Sequence, residues 1–154
     1  LLQIELTSNQ IRFQFGNINL VSKLIDGKFP DYERVIPAAL KNFVTLNRAA
    51  LLQSMVRAAI LTNEKFRGVR LILTPGSLKI VAANAEHEEA QEELEIDYSG
   101  EAIDVGFNVS YLLDVLNHAS SESIEWGFND ANSSALLTQP GNERFKYVVM
   151  PMRI

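Results

Sequence analysis

The feature that most constrains the fold is an internal repeat of strands and helices. A strand, a helix and three further strands occur in that order twice between residue 43 and the end of the chain. The first copy is predicted as a strand at 43–46, a helix capped by Asn47, and strands at 69–73, 78–84 and 89–97. The second copy is predicted as a strand at 102–106, a helix capped by Asn108, and strands at 124–128, 134–138 and 146–152. This repeat predicts a pseudo-symmetric α+β domain with its two helices on one side and antiparallel sheets on the other.

Both helices are predicted to be amphipathic. Apolar residues recur three or four positions apart, which places them on one face of a helix. The residues expected to face the core are Leu52, Met55, Val56 and Ala59 in the first helix, and Val109, Leu112, Leu113 and Leu116 in the second.

The first 36 residues are predicted to belong to a different unit. Alternating apolar and polar residues predict a three-stranded meander at 2–6, 11–15 and 18–25. Because Leu1 already lies in this pattern, we expect the chain to be part of a longer protein. A linker that contains Pro30 and Pro37 follows, and proline restricts the backbone angles, which makes the linker stiff. The predicted domains are therefore residues 1–36 and 37–154.

Composition excludes several classes of protein. The 154 residues include no cysteine, which rules out a disulfide scaffold and a thiolate zinc site and favours a reducing cytoplasm. No apolar run approaches the roughly 20 residues that a membrane-spanning helix needs. The net charge of -5 argues against free-standing binding to nucleic acid, which requires clustered Lys and Arg.

No catalytic or metal site is predicted. Ser110, Asp114 and His118 are the residue types of a hydrolase triad, spaced four residues apart on one helix. Ser110 and His118 would then lie about 12 Å apart along the helix axis, too far for the contact that a triad needs. His87 and His118 are too isolated for zinc, so we expect no cofactor and no enzymatic activity.

Two apolar, proline-containing stretches indicate a binding function. One is the linker Lys28–Pro37, and the other is the C-terminal stretch from Tyr147 to Ile154. A chain end normally frays, so a tail of this composition indicates a docked strand or a binding surface. Met150 and Met152 favour the binding surface, because methionine adapts to varied apolar partners.

These stretches resemble the bacterial DNA polymerase III β sliding clamps. The similar motifs are Lys28-Phe29-Pro30-Asp31-Tyr32-Glu33-Arg34-Val35, Thr62–Leu71, Gly106–Asn117 and Tyr147-Val148-Val149-Met150-Pro151-Met152-Arg153-Ile154. They are separated along the chain and in the order of that family. The resemblance implies a clamp-type domain, complete in residues 37–154 and preceded by the last three strands of the family's middle domain.

The resemblance also implies a pocket for short peptides of partner proteins. Linker and tail meet there in the family, with an edge contributed by the second helix. The matching positions in this chain are Pro30, Arg34, Val35, Asn108, Tyr111, Ser134, Val148, Met150, Pro151, Met152 and Arg153.

A subunit interface and a DNA-facing surface are implied as well. The interface positions are Ile60, Leu61, Glu86, Glu88, Glu89 and Glu92. In strand context, alternation would put Glu86, Glu88 and Glu92 on one side, where they need a basic partner. Arg48 and Arg57 are candidates to face DNA, although their spacing of nine residues puts them on opposite sides of the helix.

The function that the resemblance implies is DNA polymerase processivity. In that reading the full-length protein is a homodimeric ring that encircles duplex DNA in the cytoplasm. Its partners are polymerase subunits, the clamp loader and repair proteins, each bound through a short peptide. The alternative is a stand-alone β-rich interaction domain that does not encircle DNA.

Overall fold

The computed structural model describes residues 1–154, which form two compact units, Leu1–Tyr32 and Glu33–Ile154. The division falls within a short 3₁₀ turn at Tyr32–Arg34, four residues before the boundary proposed from the sequence. The first unit is an antiparallel meander of the strands β1 (Gln3–Leu6), β2 (Gln10–Phe15) and β3 (Ile18–Lys23), as predicted.

The meander has one apolar face. Register places Ile4 beside Phe13 and Phe13 beside Leu20, so these side chains share a side of the sheet. Ile4 and Leu20 are exposed, as is Leu6 on the same face. This meander therefore buries little apolar surface within its own unit.

The second unit contains two four-stranded antiparallel sheets and two helices. Its elements are β4 (Asn42–Asn47), α1 (Arg48–Ile60), β5 (Gly68–Thr74), β6 (Ser77–Ala83), β7 (Glu89–Glu95), β8 (Ile103–Asn108), α2 (Val109–His118), β9 (Ser123–Phe128), β10 (Ala135–Gln139) and β11 (Asn142–Val149). The sheet orders are β7-β6-β5-β8 and β11-β10-β9-β4. Each copy of the repeat therefore gives its first strand to the meander of the other copy, and this exchange joins them into one domain.

Both predicted helix caps are confirmed. The Asn47 side-chain oxygen accepts a hydrogen bond from the Ala50 amide at 2.9 Å, and that of Asn108 accepts from the Ser110 amide at 2.8 Å. Each cap satisfies an amide that has no partner within the helix. Both helices thus begin directly after the first strand of their repeat.

A single core lies between the helices and both sheets. Phe107 of β8 is almost fully buried and meets Trp126 of β9 edge to face, with ring centroids 5.8 Å apart. On α1, Met55 and Ala59 are buried as predicted, but Val56 is 50% exposed. The prediction for Val56 was wrong because the buried stripe runs one position earlier, through Leu51, Ser54 and Ala58.

On α2, Val109, Leu112 and Leu116 are buried as predicted, whereas Leu113 is only partly buried. Val115, which was not predicted, is fully buried. The last strand is shifted too: β11 begins at Asn142 and ends at Val149, before Pro151. Proline has no amide hydrogen for a ladder, so the residues after Val149 leave this sheet.

Arg48 ties the first helix to the end of the second. Its Nε donates to the Ser121 carbonyl oxygen at 2.8 Å, and its Nη1 donates to the Leu116 carbonyl oxygen at 3.0 Å. Leu116 lies in the last turn of α2, where carbonyl groups have no partner within the helix and a positive charge is favoured. This partly buried arginine therefore has a structural role.

Substituting Arg48 with methionine is expected to lower the free energy of unfolding by about 1–3 kcal/mol, because two carbonyl groups lose a charged donor. Arg57→Met is the matched control on the same helix and is expected to cost less, since Arg57 is exposed and solvent screens its ion pair with Glu92. Urea unfolding followed by the fluorescence of Trp126, the single tryptophan, would measure both. Equal losses in the two variants would contradict the role of Arg48.

Candidate functional site

The C-terminal tail, residues 150–154, crosses from one sheet to the other. After β11 ends, the Met152 amide donates a 2.8 Å hydrogen bond to the Gly106 carbonyl oxygen, and the two residues form an isolated antiparallel bridge. Gly106 lies in β8, an edge strand of the other sheet. The tail is therefore docked at two points: it continues from β11 and pairs with β8.

The start of the tail is open to solvent. Val149 is buried in the core, but Met150 is 63% exposed. The Ser134 hydroxyl donates to the thioether sulfur of Met150 at 2.9 Å, which holds this side chain beside the β9–β10 loop. Val148 and Pro151 are half-buried on either side. An exposed methionine with half-buried apolar neighbours is a surface that an apolar side chain can join.

Two grooves flank the tail. The loop-side groove has a volume of about 390 Å³ and is lined by Asn63, Phe66, Gly68, Ala83, Asn84, Ala85, Met152, Arg153 and Ile154. The edge-side groove has a volume of about 570 Å³ and is lined by Arg70, Asp104, Val105, Gly106, Ala131, Asn132, Met152, Arg153 and Ile154. The tail forms the wall between them, so both grooves depend on its position.

Phe66 is a site residue that the sequence reasoning did not identify. The side-chain oxygen of Asn63 accepts hydrogen bonds from the Lys65 and Phe66 amides at 2.9 and 3.3 Å, which folds the loop after α1. Phe66 is 58% exposed and lines the loop-side groove. Because the same groove contains Met152 and Ile154, Phe66 is a further candidate for contact with an apolar ligand.

Of the two pocket positions predicted at the start of α2, Asn108 contacts the loop that carries Phe66. The side-chain amide of Asn108 donates to the Phe66 carbonyl oxygen at 3.4 Å, and the Val109 amide donates to the Arg67 carbonyl oxygen at 2.7 Å. Tyr111 is exposed one turn further along α2. The structure thus connects Asn108 with the loop that presents Phe66.

The linker positions divide between the two units. Pro30 lies in the first unit, and Arg34 and Val35 lie at the start of the second. Val35 is 49% exposed, which leaves it available to a ligand. The assignment of these three residues to a peptide pocket stays a prediction.

The predicted interface residues occupy the end of α1 and the β6–β7 turn. Ile60 is 77% exposed at the last position of α1, and Leu61 caps the helix. In the turn, the side-chain oxygen of Asn84 accepts hydrogen bonds from the amides of Glu86 and Glu88, at 2.9 and 3.0 Å. Asn84 therefore shapes the turn that carries these two exposed glutamates.

The predicted grouping of the glutamates on one face of a strand was wrong. Glu86 and Glu88 lie in the turn, because β7 begins at Glu89. Glu92 is half-buried and accepts from the Arg57 Nε at 2.8 Å and from the Ser54 hydroxyl at 3.3 Å. The hydrogen bond from Arg57 lowers the pKa of Glu92. Glu92 therefore ties β7 to α1, while Glu89, the first residue of β7, is exposed.

Asp114 and His118, two of the three residues whose types match a hydrolase triad, lie on the surface of α2. Nδ1 of His118 lies 2.8 Å from the backbone carbonyl oxygen of Asp114, one turn earlier in α2. Asp114 and His118 are both exposed. The imidazole is thus oriented by the backbone of its own helix.

Comparison with known proteins shows the family of this chain. A family model described as the DNA polymerase III beta subunit, C-terminal domain, matches residues 33–153. The chain belongs to the DNA polymerase III beta subunit family. The beta sliding clamp of Pseudomonas putida is 51% identical over 154 residues, which are 100% of this chain and 42% of that protein.

Solved structures of beta subunits share the fold. The crystal structure of the DNA polymerase III subunit beta from Pseudomonas aeruginosa matches with a TM-score of 0.91 and 48% identity, over 99% of this chain and 42% of that one. A sliding clamp from the same organism, bound to griselimycin, matches with a TM-score of 0.87, the same identity and the same coverage. The chain thus spans less than half the length of the beta subunits that it matches.

The family match begins at Glu33, where the second compact unit begins. The clamp-type α+β fold that the sequence predicted is therefore confirmed for this unit. None of its helices is both long and apolar enough to span a membrane.

Proposed function

We propose that this chain is part of a ring-shaped sliding clamp that holds DNA polymerase on its template. The family assignment supports this proposal, and the tail is the single observation that carries it. The tail is docked by one backbone hydrogen bond to Gly106, borders two grooves and presents an exposed methionine. A sliding clamp needs such a surface to hold its partners.

The chemistry of this surface suits a short extended peptide. Met150, Met152 and Phe66 offer apolar contacts for leucine or phenylalanine side chains, and methionine adapts to varied partners. Arg153 offers donors to carbonyl oxygens or to an acidic flank of the peptide. Extended peptides are recognised in this way, by main-chain hydrogen bonds and by sockets for alternate side chains. We propose that Pro30, Arg34 and Val35 of the linker, and Val148 of β11, complete the pocket.

Titration of the chain with a fluorescently labelled peptide that contains glutamine and leucine tests this function. Saturable binding by fluorescence anisotropy is expected, with a peptide of scrambled sequence as control. By resemblance, the first unit is only the last three strands of the family's middle domain, so part of the pocket's surroundings lies outside this chain. We therefore expect this chain to bind the peptide more weakly than the full-length protein does. Equal binding of both peptides would show that the surface does not distinguish peptide sequences and would exclude a specific peptide pocket.

The ring itself is proposed to close through the end of α1 and the β6–β7 turn. Ile60 would serve as an apolar anchor, and exposed Glu86, Glu88 and Glu89 would meet basic residues of the neighbouring subunit. Glu92 would act indirectly, since Arg57 holds it against α1. The proposed interface residues do not line the two grooves at the tail, although Asn84 and Ala85 of the same turn border the loop-side groove.

In the full-length protein, replacing Ile60 and Leu61 with alanine is expected to weaken dimerisation by at least about thirtyfold, because apolar anchors at an interface carry about 2 kcal/mol or more. Analytical ultracentrifugation measures the dimer constant. Val56→Ala, at an exposed position one turn earlier on α1, is the matched control. An unchanged dimer constant in the double variant would place the interface elsewhere.

Duplex DNA is proposed to be held by enclosure more than by direct contact with this domain. The two arginines proposed to face DNA have partners within the chain: Arg48 binds carbonyl groups near the end of α2, and Arg57 binds Glu92. Strong phosphate binding needs several uncommitted cations, and a ring needs only weak attraction because it holds DNA by topology.

We propose no catalytic activity and no cofactor for this chain. Its proposed partners are polymerase subunits, the clamp loader and repair proteins, and its proposed location is the cytoplasm.

A further inference from the structure

Two glycines lie within strands where nothing in the backbone requires glycine. Gly106 of β8 and Gly127 of β9 do not have the left-handed conformation that favours this residue, unlike Gly76 and Gly141 in the hairpin turns. A glycine inside a strand weakens it and often marks the close approach of another segment. Each of the two must therefore be explained by what lies against it.

The tail lies against Gly106. A Cβ atom there would come within 2.5 Å of the Met152 carbonyl oxygen and 2.7 Å of the Ile154 side chain. The carbonyl oxygen belongs to the backbone, so it cannot move away without moving the tail. Gly68 on the adjacent strand β5 continues this notch, with a Cβ position 3.1 Å from the Ile154 Cδ1.

The side chain of Leu40 lies against Gly127, at the end of the segment that leads from the linker into β4 (residues 35–40, called the strap below). A Cβ atom at Gly127 would come within 2.6 Å of the Leu40 Cδ1 and 3.0 Å of the Phe43 Cε1. Leu40 follows Val35 by five residues, and Pro37 stiffens the segment between them. Because this segment is stiff, we expect a shift of Leu40 to carry Val35 with it.

We infer that these two notches, at Gly106 with Gly68 and at Gly127, are positioning elements that set the two parts of the peptide pocket within this domain. The notches let the tail and the Leu40 side chain approach the two sheets closely. The inference rests on the proposed peptide-binding function, to which it adds the residues that hold the pocket in shape. It requires that filling a notch displaces the neighbouring segment while the sheet stays folded.

The test compares Gly106→Ala and Gly127→Ala with Gly141→Ala in this chain. Gly141 lies in the β10–β11 turn with a φ of +79° and open space around it, so alanine there adds backbone strain without touching tail or strap. It controls for a general loss of stability, which a merely structural role would produce. Hydrogen exchange of the Met152 amide reports the docking of the tail without any ligand.

In Gly106→Ala, we expect the Met152 amide to exchange at least about tenfold faster, because its hydrogen bond to residue 106 is broken. The affinity for the glutamine- and leucine-containing peptide should fall by about tenfold or more, the effect of a lost hydrogen bond and a displaced wall. In Gly127→Ala, affinity should fall similarly while exchange at Met152 stays unchanged. Gly141→Ala should change neither quantity by more than about twofold.

If Gly106→Ala does not fold, Gly68→Ala gives the same test in a milder form. Its methyl group would meet only the Ile154 side chain, so faster exchange at Met152 should be reversed by adding Ile154→Ala. Unchanged exchange at Met152 in the Gly106 or Gly68 variant would overturn the tail notch, and unchanged peptide affinity in Gly127→Ala would overturn the strap notch. Absence of peptide binding by the unmodified chain would instead refute the proposed function, and exchange would still decide the tail notch.

Discussion

Deleting Met150–Ile154 is expected to abolish binding of the labelled peptide while leaving the domain folded. The deletion removes the wall shared by both grooves, and with it Met150, Met152 and Arg153. The fold should survive because β11 ends at Val149, which is buried and keeps its ladder with β10. Loss of the central contacts of a binding surface costs about 2 kcal/mol or more each, so we expect affinity to fall at least about a hundredfold.

Fluorescence anisotropy measures this loss, and circular dichroism checks that the strands and helices remain. Arg144→Ala, at an exposed position on the same strand and outside both grooves, is the matched control. It should bind the peptide as the unmodified chain does. Undiminished affinity after the deletion would show that the tail does not form the pocket and that the pocket lies elsewhere.

Phe107→Ala is expected to destabilise the second unit by about 3–5 kcal/mol, because truncating a buried phenylalanine loses its transfer free energy and leaves a cavity. Phe107 is 1% exposed and contacts Trp126, so both the sheet that carries β8 and the sheet that carries β9 lose packing. Urea unfolding monitored by Trp126 fluorescence reports this unit specifically, since Trp126 is the single tryptophan of the chain.

Phe43→Ala provides the comparison, because Phe43 lies on the outer face of β4 and is half exposed. Its loss should be smaller than that of Phe107→Ala by at least about 2 kcal/mol. Similar losses for the two phenylalanines would mean that the core is not centred between the two sheets.

The sequence predicted the elements of the second unit because its signals are local. Asn47 and Asn108 stand directly before apolar residues at helical spacing, and both form the expected caps. The exposure of Val56 was not predicted, because a stripe shifted by one position fits the same apolar residues almost as well. The strand context predicted for Glu86 and Glu88 was wrong because Asn84 folds them into a turn, and β11 ends earlier than predicted because Pro151 cannot continue its ladder.

The exchange of first strands between the two sheets could not be read from the repeat. Pairing of β4 with β9 and of β8 with β5 depends on contacts between residues that are 30 to 86 positions apart. The roles of Arg48 and Glu92 follow from the same long-range packing. Neither residue carries a local signal that distinguishes a structural partner from a free surface charge.

The candidate site was partly predictable. The tail was recognisable because apolar residues with proline and methionine at a chain end are unusual. Phe66 was missed, although it lies within a segment that resembles the clamps, because only the fold shows that its loop reaches the tail. Gly106 and Gly127 were missed because a glycine in a strand gives no indication of which segment will approach it.

Retention of the full-length protein on circular DNA tests directly whether it is a ring that encloses the duplex. The protein would be loaded onto a circular duplex by the clamp loader of its own organism and separated from free protein by gel filtration at high salt, which suppresses direct phosphate binding. If the protein is a closed ring, we expect it to stay on the closed circle and to be released when one restriction cut makes the circle linear. Loss from intact circles as fast as from cut ones, or retention that cutting does not change, would contradict a ring that encloses DNA.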